Sequence, residues 1–387
     1  MTLSWFFSKK VRQATDMLHH VRRLRNAQRD ILTAQALQVL DKAITDMDTL
    51  IRSKPTENAL SDQMDSLEET ADKWLKHYPH PAWRENVEVF LVAIAVAMAI
   101  RTFFLQPFKI PTGSMQPTLY GVVVTNLLDK PNFEMPGSLA RVYQACAMGL
   151  FYHEIKAEAD GEILEVPKPA GFGVTVQPII VRYNGESTPQ TLKIWFSPEL
   201  NTPTRNLCPE LGLYAGRTFK KGESITKFVD FAGDHLFVDR VSYNFRHPTR
   251  GDIVVFKTAG IRGLNQDQFY IKRLIGLPGE RVSIGEDRHA IINGKRLDAS
   301  VRHFENVYGF DPRTPPHDSQ YSGHIRDFKF KEVNEITVDP KHYMVFGDNT
   351  CSSWDSRGWG GVPQENVIGR YCFVYWPFTD RFGWGQE

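Results

Sequence analysis

The chain has 387 residues, enough for two or three domains with separate cores, and its composition, 42% apolar and 24% charged, is that of an ordinary globular protein. A formal charge of +1 argues against a nucleic-acid binder. The four cysteines, Cys146, Cys208, Cys351 and Cys372, form no C-x-x-C pair, which leaves disulfides permitted but supports neither a zinc cluster nor a thioredoxin-type motif.

The N-terminal end is basic: Lys9, Lys10, Arg12, Arg22, Arg23, Arg25 and Arg29 face only Asp16 and Asp30. A solvated helix face accounts for this pattern first, and contact with anionic lipid or RNA second. The apolar residues 3–7 are too few for the core of a secretory signal. Leu37, Leu40, Ile44, Met47 and Ile51 recur at spacings of three and four, as do Leu60, Met64, Leu67, Ala71 and Trp74. That periodicity predicts two amphipathic helices broken at Pro55, the second capped by Thr56. Packed seam to seam they form an antiparallel hairpin or a coiled coil with a partner; a helical spacer without a partner fits equally well.

Pro79 and Pro81 make residues 77–81 a linker. From residue 87 to 105 only Glu88, Arg101 and Thr102 interrupt an apolar run. At 1.5 Å per residue it reaches roughly 28 Å, the hydrocarbon thickness of a bilayer. Arg101 can snorkel, and Trp83, Phe103 and Phe104 sit where interfacial aromatics belong. The soluble alternative is a buried core helix, since residues 89–100 are the only fully uninterrupted part. Lys73, Lys76 and Arg84 precede the run while Lys109 follows it, which places the N-terminal helices in the cytoplasm and the rest of the chain outside. There disulfides are chemically permitted.

Residues 121–232 hold β-rich runs at 163–166, 174–181 and 191–196, separated by turn signals, and no reactive constellation. His153-Glu154 fails as a zincin motif because Ala157 stands where the second histidine belongs, and neither a P-loop nor a G-x-G-x-x-G occurs. Strand patterns continue at 236–241, 253–257, 270–275, 343–346 and 371–375, with a hairpin turn at Asn293-Gly294. Beyond residue 105 the chain therefore reads as mainly β, with few helical periods.

Three stretches carry candidate chemistry. The first, residues 110–119, places Ser114 between Gly113 and Met115, a few residues past the apolar run. A serine hydroxyl needs a base beside it, and no G-x-S-x-G elbow supports a histidine partner here. A lysine stripped of water is the other solution, because burial lowers its pKa from about 10.4 by several units. Lys272, in Tyr-Ile-Lys-Arg-Leu-Ile-Gly-Leu-Pro-Gly, is the strongest candidate. Strand alternation sends Lys272 and Leu274 to one face and Ile271, Arg273 and Ile275 to the other, and on periodicity alone an exposed lysine is the default. The third stretch, residues 347–358, is either a hydrogen-bonded turn or a loop whose hydroxyl orients the base while Asp355 and Arg357 brace it.

In this order the stretches resemble the bacterial type I signal peptidases, Ser-Lys serine endopeptidases of peptidase family S26. The shared motifs are Pro111 to Met115 with Pro117-Thr118-Leu119; Gly233-Asp234 leading into Asp239-Arg240; residues 250–256; residues 270–279; and Gly347-Asp348-Asn349 through Asp355-Ser356-Arg357. The resemblance implies that Ser114 is the nucleophile and neutral Lys272 the general base. It further implies that Ser353 orients the lysine amine, that Asp355 and Arg357 support the loop, and that the Ser114 N–H and the Thr112 hydroxyl meet the oxyanion. Thr112 stands where many relatives have serine. The implied substrate is the signal peptide of an exported preprotein, bound as an extended strand with small residues, Ala-x-Ala, before the cut; no cofactor or metal is required and no nucleic acid is expected. Membrane lipid is an expected partner, and a protein partner for the N-terminal helices is left open.

The expected plan is a cytoplasmic helical segment (1–85), a transmembrane helix (86–106), a catalytic β domain (107–120 and 233–387) and a β-rich insertion (121–232), in a single-pass protein of the cell (inner) membrane. Two departures stand out: relatives pass from the serine motif to the next β motif within about ten residues, whereas more than a hundred intervene here, and many relatives have two spans. Two rivals remain at this stage, a self-cleaving Ser-Lys regulator and a catalytically silent membrane scaffold that binds preproteins.

Overall fold

A computed structural model of the chain describes residues 9–53, 56–76, 81–130, 132–169, 175–198, 200, 206–310 and 322–385. The expected break at Pro55, the apolar residues 3–7 and most of the 77–81 linker lie outside them. The chain divides into two compact units, Met1–Ala95 and Val96–Glu387.

The first unit holds three packed helices where the periodicity predicted two. Helix α1 (Lys9–Ala27) buries Val11, Ala14, Leu18 and Val21 against α2 (Ala34–Arg52) and α3 (Glu57–Trp74). Its apolar stripe is narrow and flanked by arginines, so the basic face dominates the sequence pattern and hides the core-facing one. Thr56 accepts from Ala59 N at 3.4 Å, as its capping signal predicts, and the Thr33 hydroxyl, which the sequence reading did not single out, accepts from Ala36 N at 3.2 Å. Gln28, just past α1, ties that end to the end of α3: its Nε2 donates to Lys76 O at 2.9 Å and its Oε1 accepts from Lys76 N at 2.8 Å.

Helix α4 (Pro81–Phe103) begins on a proline, which is pre-set for the first helical position and has no amide to leave unsatisfied. Within it Trp83–Phe103 is long and apolar enough to cross a membrane, with mean hydropathy 1.8 and none of its most apolar window buried. The core-helix alternative therefore does not hold. The helix stops at Phe103, three residues short of the expected transmembrane helix 86–106, because Leu105 already pairs with Asp239 in a sheet.

The second unit is mainly β. Eight strands form its principal sheet: β1 (Leu105–Lys109), β2 (His235–Asp239), β3 (Ile253–Lys257), β4 (Phe269–Gly276), β5 (His342–Phe346), β6 (Val362–Pro363), β7 (Val367–Trp376) and β8 (Gly383–Trp384). The order is β1-β2-β7-β3-β4-β5-β6, all neighbours antiparallel, with β8 on β7. Both faces are covered. Ile253 and Val255 pack with Ile110, Met115 and Leu119, whereas Val254 and Phe256 pack with Leu274, Tyr343 and Val345. Central strands of such a sheet lose the apolar-in, polar-out alternation. A second sheet pairs Arg281–Ile284 with Ala290–Ile292 and Glu335–Thr337, and its Asn293-Gly294 turn has positive φ at both residues (50° and 81°), the geometry of a two-residue hairpin.

Between β1 and β2 lie a three-stranded and a four-stranded sheet. Strands Gly161–Glu165, Val176–Tyr183 and Gln190–Trp195 match the predicted runs to within a few residues, and a separate core of Ile163, Ile179, Val181, Phe219 and Phe228 holds them. Helix α5 (Ser138–Met148), which periodicity did not suggest, buries none of its side chains.

Candidate active site

Ser114 sits in a single 3-10 turn, Gly113–Met115, five residues past β1. Strand β4 lies next to β5 at the sheet's centre and delivers Lys272 to that turn, so that Lys272 Nζ and Ser114 Oγ are 2.7 Å apart. Ser114 and Lys272 are both buried, at 5% and 4% exposure. The loop after β5 closes over them. Asn349 N donates to Ser114 O and Asn349 Nδ2 donates to Gly113 O, each at 3.0 Å, which fixes the serine turn from both sides. Gly347 is required by space: a Cβ there would lie 2.5 Å from Ser114 O and 2.2 Å from Ser353 Oγ.

Burial strips the Lys272 ammonium of water and pushes its pKa down from the ordinary 10.5 to about 8; the Asp355 and Asp348 carboxylates pull it partly back, and Arg357 opposes them. Two buried ion pairs flank the lysine. Asp355 accepts from Arg357 Nε and Nη2 at 2.9 Å and from Gly347 N at 2.9 Å. Burial alone would raise the Asp355 pKa, but Arg357 and these hydrogen bonds outweigh it and hold the carboxyl below its usual value. Arg357 also donates to Thr350 Oγ1, Thr350 O and Ile325 O, so it shapes the loop between β5 and residue 355. On the other side, Arg273 donates from Nε and Nη2 to Asp348 at 2.7 and 2.6 Å, and Thr118 Oγ1 donates to Asp348 at 2.5 Å. The forked guanidinium thus joins β4, the serine stretch and the β5 loop.

The structure thus brings Ser114 and Lys272 into contact and packs Ser353, Asp355 and Arg357 beside them. Ser353 Oγ is buried beside the Asp355 carboxylate, which it helps to hold ionised, and the contact with Lys272 that the resemblance implies is not formed in this arrangement. Thr112 is exposed, two residues before Ser114, and its hydroxyl does not cap the turn. The default of an exposed strand lysine fails because β4 is covered on both faces: Lys272 and Arg273 are both buried. Sequence reasoning gave no role to Arg273, Asp348, Thr118 or Asn349. Their only signal was position inside the shared motifs, since the partners Arg273 and Asp348 are 75 residues apart. Among the described residues no group of three or more His, Cys, Asp or Glu is placed to hold a metal ion.

The family model for "Signal peptidase, peptidase S26" matches residues 83–135 and 220–376, more than half of the chain. The chain belongs to the signal peptidase S26 family. Its match leaves out residues 136–219, which fall within the two sheets between β1 and β2 and include α5. A probable signal peptidase I-2 of Synechocystis sp. is 34% identical over 145 residues, 37% of this chain and 56% of that protein. Signal peptidase I of Bacillus caldolyticus is 35% identical over 153 residues, 38% of this chain and 72% of that protein. The chain thus spans a little over half the length of the first relative. A solved signal peptidase I of Enterococcus faecalis V583 is 32% identical and covers 32% of this chain and 97% of its own, with a TM-score of 0.24.

Proposed function

We propose that the chain is a membrane-anchored serine endopeptidase that removes signal peptides from exported preproteins through a Ser114–Lys272 dyad. The observation that carries this reading is the 2.7 Å contact between Ser114 Oγ and a buried lysine whose pKa is about 8. Such an amine is about half neutral at pH 8 and about one-tenth neutral at pH 7, against less than a thousandth for an ordinary lysine at pH 7.

Neutral Lys272 takes the Ser114 proton as Oγ attacks the carbonyl carbon after an Ala-x-Ala segment. The tetrahedral oxyanion meets the Ser114 N–H, which as a first-turn amide has no acceptor inside its helix, and the Thr112 hydroxyl. The protonated lysine then gives its proton to the leaving amine, the C–N bond breaks, and an acyl-Ser114 ester remains. Lys272, neutral again, deprotonates the water that hydrolyses the ester. The buried Ser353 hydroxyl, beside the Asp355 carboxylate, orients the Lys272 amine as it becomes charged. Asp355 and Arg357 hold the loop that presents it.

The substrate binds as an extended strand along a sheet edge. Helix α4 anchors the enzyme, with residues 1–85 in the cytoplasm and the β domain outside. Residues 121–232 form an inserted domain, supported by their own core and by the gap in the family match. Because α1 fills the seams between α2 and α3, a protein partner of the first unit would meet its outer charged faces. Incubating the detergent-solubilised full chain with an exported preprotein tests the reading. A mature product beginning directly after Ala-x-Ala is expected; an intact preprotein, or a cut elsewhere, contradicts it.

A further inference from the structure

A cavity of about 710 Å³ lies within the second unit, apart from Ser114 and Lys272, neither of which lines it. By strand alternation it opens on the face to which Arg273, and not Lys272, points. Its wall includes Leu105, two residues past the end of α4, and the aromatics Phe382 and Trp384, which are 45% and 73% exposed. Five arginines, Arg246, Arg273, Arg302, Arg370 and Arg381, line it against three aspartates. Asp348 and Asp234 neutralise Arg273 and Arg381, and Asp252 neutralises Arg246, which leaves Arg302 and Arg370 facing Asp239 and the exposed Asp380. Arg302 is exposed and makes no hydrogen bond or ion pair among the described residues. Arg370 reaches Asp239 only at 3.5 Å, and that carboxylate already accepts from Val241 N, Ser242 N and Ser242 Oγ. Forked donors are therefore left over in a space the size of a small-ligand site.

We propose that this cavity binds the phosphate of an anionic phospholipid headgroup, held by Arg302 with Arg370, while the lipid's apolar part lies against Leu105, Phe382 and Trp384. The placement rests on the reading that α4 crosses the bilayer, which sets Leu105 at headgroup level, where exposed aromatics and arginines are both favoured. Guanidinium suits a phosphate because two of its donors match two phosphate oxygens.

Titration calorimetry of the full chain in neutral detergent tests this, with short-chain phosphatidylglycerol, short-chain phosphatidylcholine and inorganic phosphate as separate titrants. Phosphatidylglycerol is expected to bind at least about tenfold more tightly than the other two, with Arg302→Glu losing about tenfold or more and Arg302→Lys retaining most of the affinity. Arg262→Glu makes the same charge change at an exposed site outside the cavity and is expected to leave binding intact. Equal losses in Arg302→Glu and Arg262→Glu would overturn the site. Equal affinity for phosphatidylcholine would overturn its charge selectivity, and equal affinity for inorganic phosphate would overturn a lipid source. Arg302→Glu is expected to melt with the wild type, so lost binding would not report lost folding. Failure of the α4 reading shows separately, as release of the wild-type chain from membranes by alkaline carbonate.

Discussion

Replacing Lys272 by methionine should stabilise the protein near neutral pH while abolishing its proposed activity. The folded-state pKa of Lys272 is about 8 against an ordinary 10.5, so protonation costs the folded state about 3 kcal/mol at pH 7. The sign follows from a depressed amine pKa: there is no cost above the unfolded value, it grows as pH falls from 10.5, and it is complete below about 8. Methionine has a similar length and no charge to desolvate, but it leaves Ser114 Oγ without its 2.7 Å partner, a loss of about 1 kcal/mol. The net gain is about 2 kcal/mol at pH 7 and about zero at pH 10, where the lysine term has shrunk to about 1 kcal/mol. For a unit of this size the gain corresponds to roughly 4–8 °C in melting temperature at pH 7. Differential scanning fluorimetry of wild type and Lys272→Met at both pH values measures it. A variant that melts below the wild type at pH 7, or a difference that does not change with pH, would refute the burial argument.

Three further outcomes are expected. With acylation limiting, kcat/KM should rise about tenfold per pH unit below 8 and level off above it; a flat profile from pH 6 to 9 contradicts a lysine base. Gly347→Ala inserts a methyl 2.5 Å from Ser114 O, and a displacement of about 1 Å in the serine turn should cost about 10²-fold in kcat/KM, read alongside the melting temperature to separate misalignment from unfolding. Asp348→Asn leaves the buried Arg273 guanidinium without its counter-charge and should destabilise the second unit by about 3–5 kcal/mol in a denaturant titration, whereas the paired change Arg273→Met with Asp348→Leu should recover much of the loss.

Much of this protein is legible in its sequence because the informative features are local. The apolar run that becomes α4, the Asn293-Gly294 hairpin and the Thr56 cap each follow from a few adjacent residues. Residues 253–257 coincide with β3, while β4 extends one residue beyond the expected run at each end. What was hidden depends on what a residue packs against. Alternation along β4 suggested an exposed Lys272, and only the packed layers on both faces of the sheet make that lysine a buried amine with a lowered pKa. Helix α1 carries its core residues at Val11, Ala14, Leu18 and Val21, yet seven cations nearby make the segment look solvated. The Arg273–Asp348 pair joins β4 to the loop after β5 across 75 residues, beyond the reach of any periodicity. Ser353 is expected to touch the lysine but is buried beside Asp355 instead, so position in a motif fixes the neighbourhood before it fixes the contact.

The central claim is that Ser114 and Lys272 together cut the preprotein. It is tested most directly by incubating wild type, Ser114→Ala and Lys272→Ala, each solubilised at full length, with one preprotein bearing Ala-x-Ala, and mapping the products by intact mass. The account predicts a single mature product from the wild type, and rates lowered by at least about 10³-fold in both variants while their melting transitions persist. Equal product from all three proteins would contradict it.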